Sequence, residues 1–184
     1  MKRMFALVLT LMLLSVACFA QAESAATTYD LCTISGKATV TLTTDYAPLY
    51  ISQEADQALM NDLGFARVYI STDGLAPCVL SIAKSELADG MSLTEMGQEG
   101  IDALVALVSE QYENAEIKTG MIGEHTFIAL MAYGDDGDAH SVFTIENGYF
   151  VQLDQYNEDF SDMDSTDGDF AKAILAGLGV MPVQ

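Results

Sequence analysis

The stretch DMDSTDGDF, Asp162 to Phe170, sets four aspartates among a serine, a threonine and a glycine. Oxygen ligands at that density suit a hard cation such as calcium. A loop of the EF-hand type needs oxygen ligands at positions 1, 3 and 5 and glycine at position 6. With Gly168 at position 6, Met163 falls at position 1 and cannot serve. Starting at Asp162 instead puts Asp167 where the glycine belongs, and the closing glutamate is missing in both registers. The stretch fits the entrance to a helix better. Thr166 caps it, Asp167 and Asp169 occupy the positively polarised first turn, and Phe170, Ile174 and Leu178 follow at helical spacing. Calcium held by Asp162, Asp164 and Asp167 stays as the alternative; no other metal and no cofactor is expected.

Nucleophilic and acid–base chemistry has few carriers. A nucleophile-elbow G-x-S-x-G, a phosphate-binding P-loop, a dinucleotide fingerprint and an H-E-x-x-H zinc motif are all missing from the sequence. Only two histidines exist, His125 and His140, each near the start of a predicted strand. If those strands pair across GDDGD, the two histidines lie at opposite ends and share neither a metal nor a proton relay. One histidine with a carboxylate remains a possible general base. Tyr133, Tyr149, Tyr156 and Phe150 suggest an apolar groove or, more commonly, core aromatics. No catalytic residue is assigned, and the expectation is that the chain is not an enzyme.

The first residues address export. Lys2 and Arg3 precede the uncharged run MFALVLTLMLLSVA, and AQA ends at Ala22 before Glu23, the pattern of a signal peptide cleaved between those two residues. A lipid-modified Cys18 is the alternative, since SVAC is close to a lipobox with Ser15 in place of the usual leucine. The expected organisation is a signal peptide at 1–22, an N-terminal segment at 23–36 and a single domain at 37–184. Cleavage leaves five Lys/Arg against all 27 Asp/Glu. That field repels phosphate backbones and anionic lipid, so neither nucleic acid nor stable membrane insertion of the mature chain is expected. Cys32 and Cys78 are the cysteines that would remain. In an exported chain they suggest a disulfide, and two buried free thiols are the other reading.

The elements that must position these residues follow from periodicity. KATVTLTT, PLYIS, ARVYIST and APCVLSIAK read as strands, with a helix over QEADQALMNDLG and a turn at Asp73-Gly74. A long helix opens on a capping box of Ser92 and Glu95, and its stripe runs through Ile101, Leu104, Val105, Val108 and Tyr112. Gly97 and Gly100 weaken its first turns. Four more strands follow, AEIKTGM, HTFIALMAY, AHSVFTIE and YFVQLDQY, the last two joined by Asn147-Gly148. A type I′ turn there pairs Glu146 with Tyr149 and Ile145 with Phe150. Phe143, Ile145 and Phe150 then share one face, and Val142, Tyr149, Val151 and Leu153 the other. An antiparallel sheet apolar on both faces needs cover on both, which helices would supply as an α/β/α sandwich.

Several stretches carry a family resemblance: SLTEMGQEGIDAL, TGMIGEHTFIAL, IENGYFVQL and DFAKAILAGL. In that order, between Lys37 and Leu178, they resemble the PsbP-like family, a photosystem-II extrinsic protein and its small exported bacterial relatives. The resemblance implies an α+β fold, an antiparallel sheet covered by helices on both faces, and a habit of acting as a binding or assembly module. No functional residue transfers with it. The functional expectation is an exported, non-catalytic binding or assembly module for an extracellular or cell-surface protein. A small-ligand carrier or hydrolase with a groove between sheet and helix is the alternative.

Overall fold

The computed structural model describes residues 25–34, 37–53, 64–111, 115–132, 139–155 and 166–183. Among them the chain forms, in order, β1 (Thr27–Ile34), β2 (Ala38–Thr44), β3 (Tyr50–Gln53), β4 (Phe65–Ser71), β5 (Cys78–Lys84), α1 (Leu93–Gln111), β6 (Glu116–Ile122), β7 (His125–Ala132), β8 (Ala139–Glu146), β9 (Tyr149–Gln155), α2 (Thr166–Ala176) and β10 (Leu178–Pro182). The signal-peptide residues, Cys18, Ala22 and Glu23, and the helix expected over QEADQALMNDLG lie outside the described residues apart from its end residues Gln53 and Gly64. Among the described residues no helix is long and apolar enough to cross a membrane.

Seven strands form one antiparallel sheet in the order β3-β4-β5-β9-β8-β7-β6. Its register follows the side-chain pattern. Val68, Leu80, Leu153, Val142 and Ala129 stand opposite one another across five strands, and all are buried. Ile145 pairs with Phe150 and Glu146 with Tyr149, the register expected from the Asn147-Gly148 turn. Both faces are apolar, as alternation in β7, β8 and β9 requires. Ile128, Leu130, Phe143 and Ile145 enter one core, and Val142, Tyr149, Val151 and Leu153 enter the other.

What covers those faces corrects the expected α/β/α sandwich. One face is packed by α1, whose Leu93, Leu104 and Val108 are buried against β7 and β8. The opposite face is covered by a second, three-stranded sheet of order β1-β2-β10, together with α2. The molecule is therefore mostly β, with two sheets and two helices among the described residues. The second sheet escapes pattern reading for physical reasons. A bulge between Asp30 and Cys32 lets the adjacent Leu31 and Cys32 both be buried, which breaks the period of two in β1. β10 carries Gly179 and Pro182, residue types depleted from strands. Strand β1 lies within the 23–36 segment expected to precede the domain, with Thr27 paired to Thr44.

Helix α2 stops at Ala176, short of the expected Leu178. Gly177 donates its N–H to Ala173 O at 3.1 Å and accepts from Thr43 N at 2.8 Å. A Cβ at Gly177 would overlap the Thr43 carbonyl oxygen, so only glycine lets the chain leave the helix this close to β2. Leu178 becomes the first residue of β10, opposite Leu42. The start of α1 is as the capping box predicts: Ser92 N donates to Glu95 Oε2 at 2.8 Å and Glu95 N to Ser92 Oγ at 3.3 Å. Gly97 breaks the helical path with φ 63° and ψ −152°, so the long helix is two pieces across a kink.

Asn147 and Gly148 have φ of 48° and 81°, the paired positive values of a type I′ turn. A Cβ at Gly148 would lie 3.0 Å from the Gly90 backbone and 3.1 Å from Ala88 O, whereas one at Gly74, also at positive φ, would meet nothing within 4 Å. Gly74→Ala should cost only the left-handed penalty, about 1–2 kcal/mol. Gly148→Ala adds overpacking against the loop, for a total of about 2–5 kcal/mol. Urea unfolding of the two variants checks this; equal losses would mean that the loop yields freely.

Candidate functional site

A cleft of about 1020 Å³ opens where the β8–β9 turn meets the ends of β4, β5 and β10. Five chain segments build it, those around Lys37, Gly64, Lys84–Gly90, Asn147–Tyr149 and Pro182. Backbone hydrogen bonds hold the segments together. Ser85 N donates to Gly148 O at 2.9 Å, Gly148 N to Met91 O at 2.9 Å, and Val183 N to Lys37 O at 2.8 Å. Asn147 Nδ2 donates to Val180 O at 2.6 Å, tying the turn to β10 of the other sheet.

The charges in the cleft are unusual for this chain. Among the described residues, Lys118 pairs with Glu116 at 3.1 Å and Lys172 with Asp169 at 3.6 Å. Arg67 donates to Ser81 and lies over the Phe65 ring. Lys37 and Lys84 make no ion pair with a described residue, and both line the cleft. Glu86 and Asp89 line it too, exposed and likewise unpaired among the described residues. Phe65, Ala88, Tyr149 and Pro182 add apolar wall.

On the other side of Asn147 lies a smaller pocket of about 230 Å³, between the start of α1 and the strand ends that carry His125 and Glu146. The two side chains are neighbours because β7 and β8 run side by side. His125 Nδ1 lies 2.6 Å from Glu146 Oε1, and both side chains are largely buried. A carboxylate only accepts, so Nδ1 carries the shared proton. The hydrogen bond that His125 donates to Glu146 raises the His125 pKa above its usual value; burial opposes the rise, and the Glu146 and Glu124 charges aid it. Thr94 Oγ1 accepts from Thr126 N at 3.0 Å and donates to Glu124 O at 3.2 Å, pinning the helix start to β7. A carboxylate-held imidazole is the arrangement that general-base histidines use. No hydroxyl or thiol nucleophile is hydrogen-bonded to His125 among the described residues.

The residues singled out in the sequence are mostly not brought together. His140 pairs with Met131, six residues along β7 from His125, which at about 3.3 Å per residue puts the two histidines about 20 Å apart. Tyr149 and Phe150 point into opposite cores, Phe150 against Phe143 at 5.7 Å between centroids, so they line no common groove. Tyr133 and Tyr156 lie outside the described residues, as do Asp162 and Asp164. Asp167 falls in the first turn of α2, which begins at Thr166. Among the described residues no group of three or more His, Cys, Asp or Glu could hold a metal. Cys32 and Cys78 are both buried, Cys32 at the bulge in β1 and Cys78 at the start of β5. They pack in the inter-sheet core as small hydrophobes, and burial pushes the Cys32 thiol up to about 11.

Lys37 and Lys84 were not singled out by sequence reading. Their signal was scarcity: with five Lys/Arg after the expected cleavage, each unpaired cation is informative. Compared with known families and with curated proteins, the chain matches no family model and no curated protein. The PsbP-like resemblance therefore rests on the quoted stretches alone.

Two outcomes are expected. A histidine whose folded pKa is raised contributes stability that is complete below its unfolded value near 6.5 and is lost as pH rises through the folded pKa. The stability gap between the wild type and His125→Gln should therefore narrow from pH 6 to pH 9. Its size should be at most about 1 kcal/mol for a partly solvated pair. A gap that widens with pH, measured by urea unfolding at each pH, would mean that the imidazole is held neutral. For the cysteines, thiol labelling of unreduced protein should find Cys32 slow to react when folded and reactive once unfolded; no reaction at Cys32 after unfolding would establish the disulfide.

Proposed function

We propose that the chain is an exported, non-catalytic binding module that engages its partner through the cleft at the turn end of the large sheet. The observation that carries this is the set of four charged side chains, Lys37, Lys84, Glu86 and Asp89, lining one cleft without pairing with one another. Side chains of opposite sign that face a shared space and remain unpaired within the fold are free to meet a ligand. At about 1020 Å³ the cleft lies at the upper limit of small-ligand sites, commonly about 300–1,000 Å³. Export is supported by the charged start, apolar run and AQA at the head of the chain. The acidic field argues against nucleic acid as the partner.

A second reading is a hydrolase using His125 as general base. It is favoured by one observation, the 2.6 Å bond to Glu146 beside a pocket. One experiment separates the two. Amide NMR spectra recorded with a fragment set should show shifts at Gly64, Gly90 and Gly148, which line the cleft. The same protein should turn over esterase, glycosidase and peptidase substrates no faster than His125→Ala does. Turnover abolished by His125→Ala, with the circular dichroism spectrum unchanged, would establish the hydrolase instead.

A further inference from the structure

We infer that the cleft takes a short peptide with both ends free, its carboxylate met by Lys37 and Lys84 and its ammonium by Glu86 and Asp89. This rests on the reading of the cleft as the binding surface and adds the class of ligand.

Three observations converge. The first is sign. The chain carries 27 acids against seven bases, yet among the described residues the cleft is lined by two of each sign. It is a locally balanced site in a strongly negative molecule. A polyanion approaching it is repelled by the surrounding field, and a polycation is drawn to carboxylates everywhere else. A zwitterion carries no net charge to be steered away, and its two ends match the two signs on the walls.

The second is availability. The other three cations of the described chain are each held, Lys118 by Glu116, Lys172 by Asp169, and Arg67 by Ser81 and the Phe65 ring. Lys37 and Lys84 are exposed, and their ion-pairing capacity is spent on no described residue. Their backbones are fixed, Lys37 O by Val183 N and Lys84 N by Gly64 O, so the ammonium stems start from rigid points. Lys84 stands opposite Tyr149 at the start of β9, and Glu86 follows two residues on, past Ser85, which the turn holds in place.

The third is size and wall chemistry. At about 1020 Å³ the cleft exceeds what a single amino acid fills and suits a few residues. Phe65 and Pro182, with the buried Ala88 and Tyr149 behind them, add apolar lining beside the charges. The peptide that fits best therefore has apolar side chains between its charged ends.

Calorimetric titration of the purified chain with free trileucine, trileucine amide and N-acetyl-trileucine tests this, with amide NMR to locate each ligand. Free trileucine should bind tightest and shift Gly64, Gly90 and Gly148. Amidation and acetylation should each weaken binding by about three- to tenfold, the range for a partly solvated charge-assisted contact. Lys37→Ala and Lys84→Ala should weaken the free peptide but not the amide, and Glu86→Gln with Asp89→Asn should weaken the free peptide but not the acetylated form. If the amide and the acid bind equally while the cleft amides still shift, the zwitterion assignment is overturned and the binding module stands. If none of the three peptides shifts the cleft, the assignment is overturned as well, and the fragment set then shows whether the binding-module reading falls with it.

Discussion

A two-residue turn organises this protein. Asn147 and Gly148 reverse the chain with both φ angles positive, the geometry whose twist matches that of the flanking strands. That choice sets Ile145 against Phe150, and a period of two carries the consequence along both strands. A slip of one residue would exchange the residues facing α1 with those facing the second sheet. The turn also makes three contacts outside its hairpin. It accepts from Ser85 N, donates to Met91 O, and reaches Val180 O through the Asn147 side chain. Gly148 allows the first two because a side chain there would collide with Gly90 and Ala88. The loop from β5 to α1, the start of α1 and β10 are thereby all referred to one point. The cleft lies on one side of that point and the His125–Glu146 pocket on the other.

Charge then distinguishes the two places. With so many carboxylates, an acidic side chain anywhere carries little information, and most stand in water. Cations are few, so their whereabouts matter. Among the described residues three are held by neighbours, and the two that are not both line the cleft. The His125–Glu146 bond has a different character. It ties β7 to β8 at the end of the sheet, beside a helix start already pinned by Thr94, and its first consequence is structural. A general base needs a nucleophile or a positioned water to act on, and His125 has no such described partner.

Eight of the ten described strands, the long helix with its capping box, the Asp73-Gly74 turn and the Asn147-Gly148 register were legible in the sequence, because each rests on local rules. Alternation, capping and turn chemistry act over a few residues, and both faces of β8 and β9 were assigned correctly from one turn. β1 and β10 were not legible. In β1 a bulge buries two successive residues, and in β10 glycine and proline mask a strand whose only reason to exist is β2 beside it. The end of α2 was misplaced by two residues because Gly177 stops the helix by its closeness to Thr43, a residue more than a hundred positions away.

The sequence by itself determined the pieces and their faces: where the chain alternates, where it turns, which sides must be buried, and how acidic the surface is. Only the tertiary structure decided what buries them. An apolar sheet face demands a cover but does not say whether a helix or another sheet provides it, since both remove the same area from water. The second sheet assembles from strands at the two ends of the chain, and no local pattern encodes that meeting. The candidate site has the same origin. Lys37, Lys84, Glu86 and Asp89 are unremarkable surface residues one at a time, and become a set only because a turn, a loop and a terminal strand converge. Local propensities act through neighbours in the chain, whereas a cleft is defined by neighbours in space.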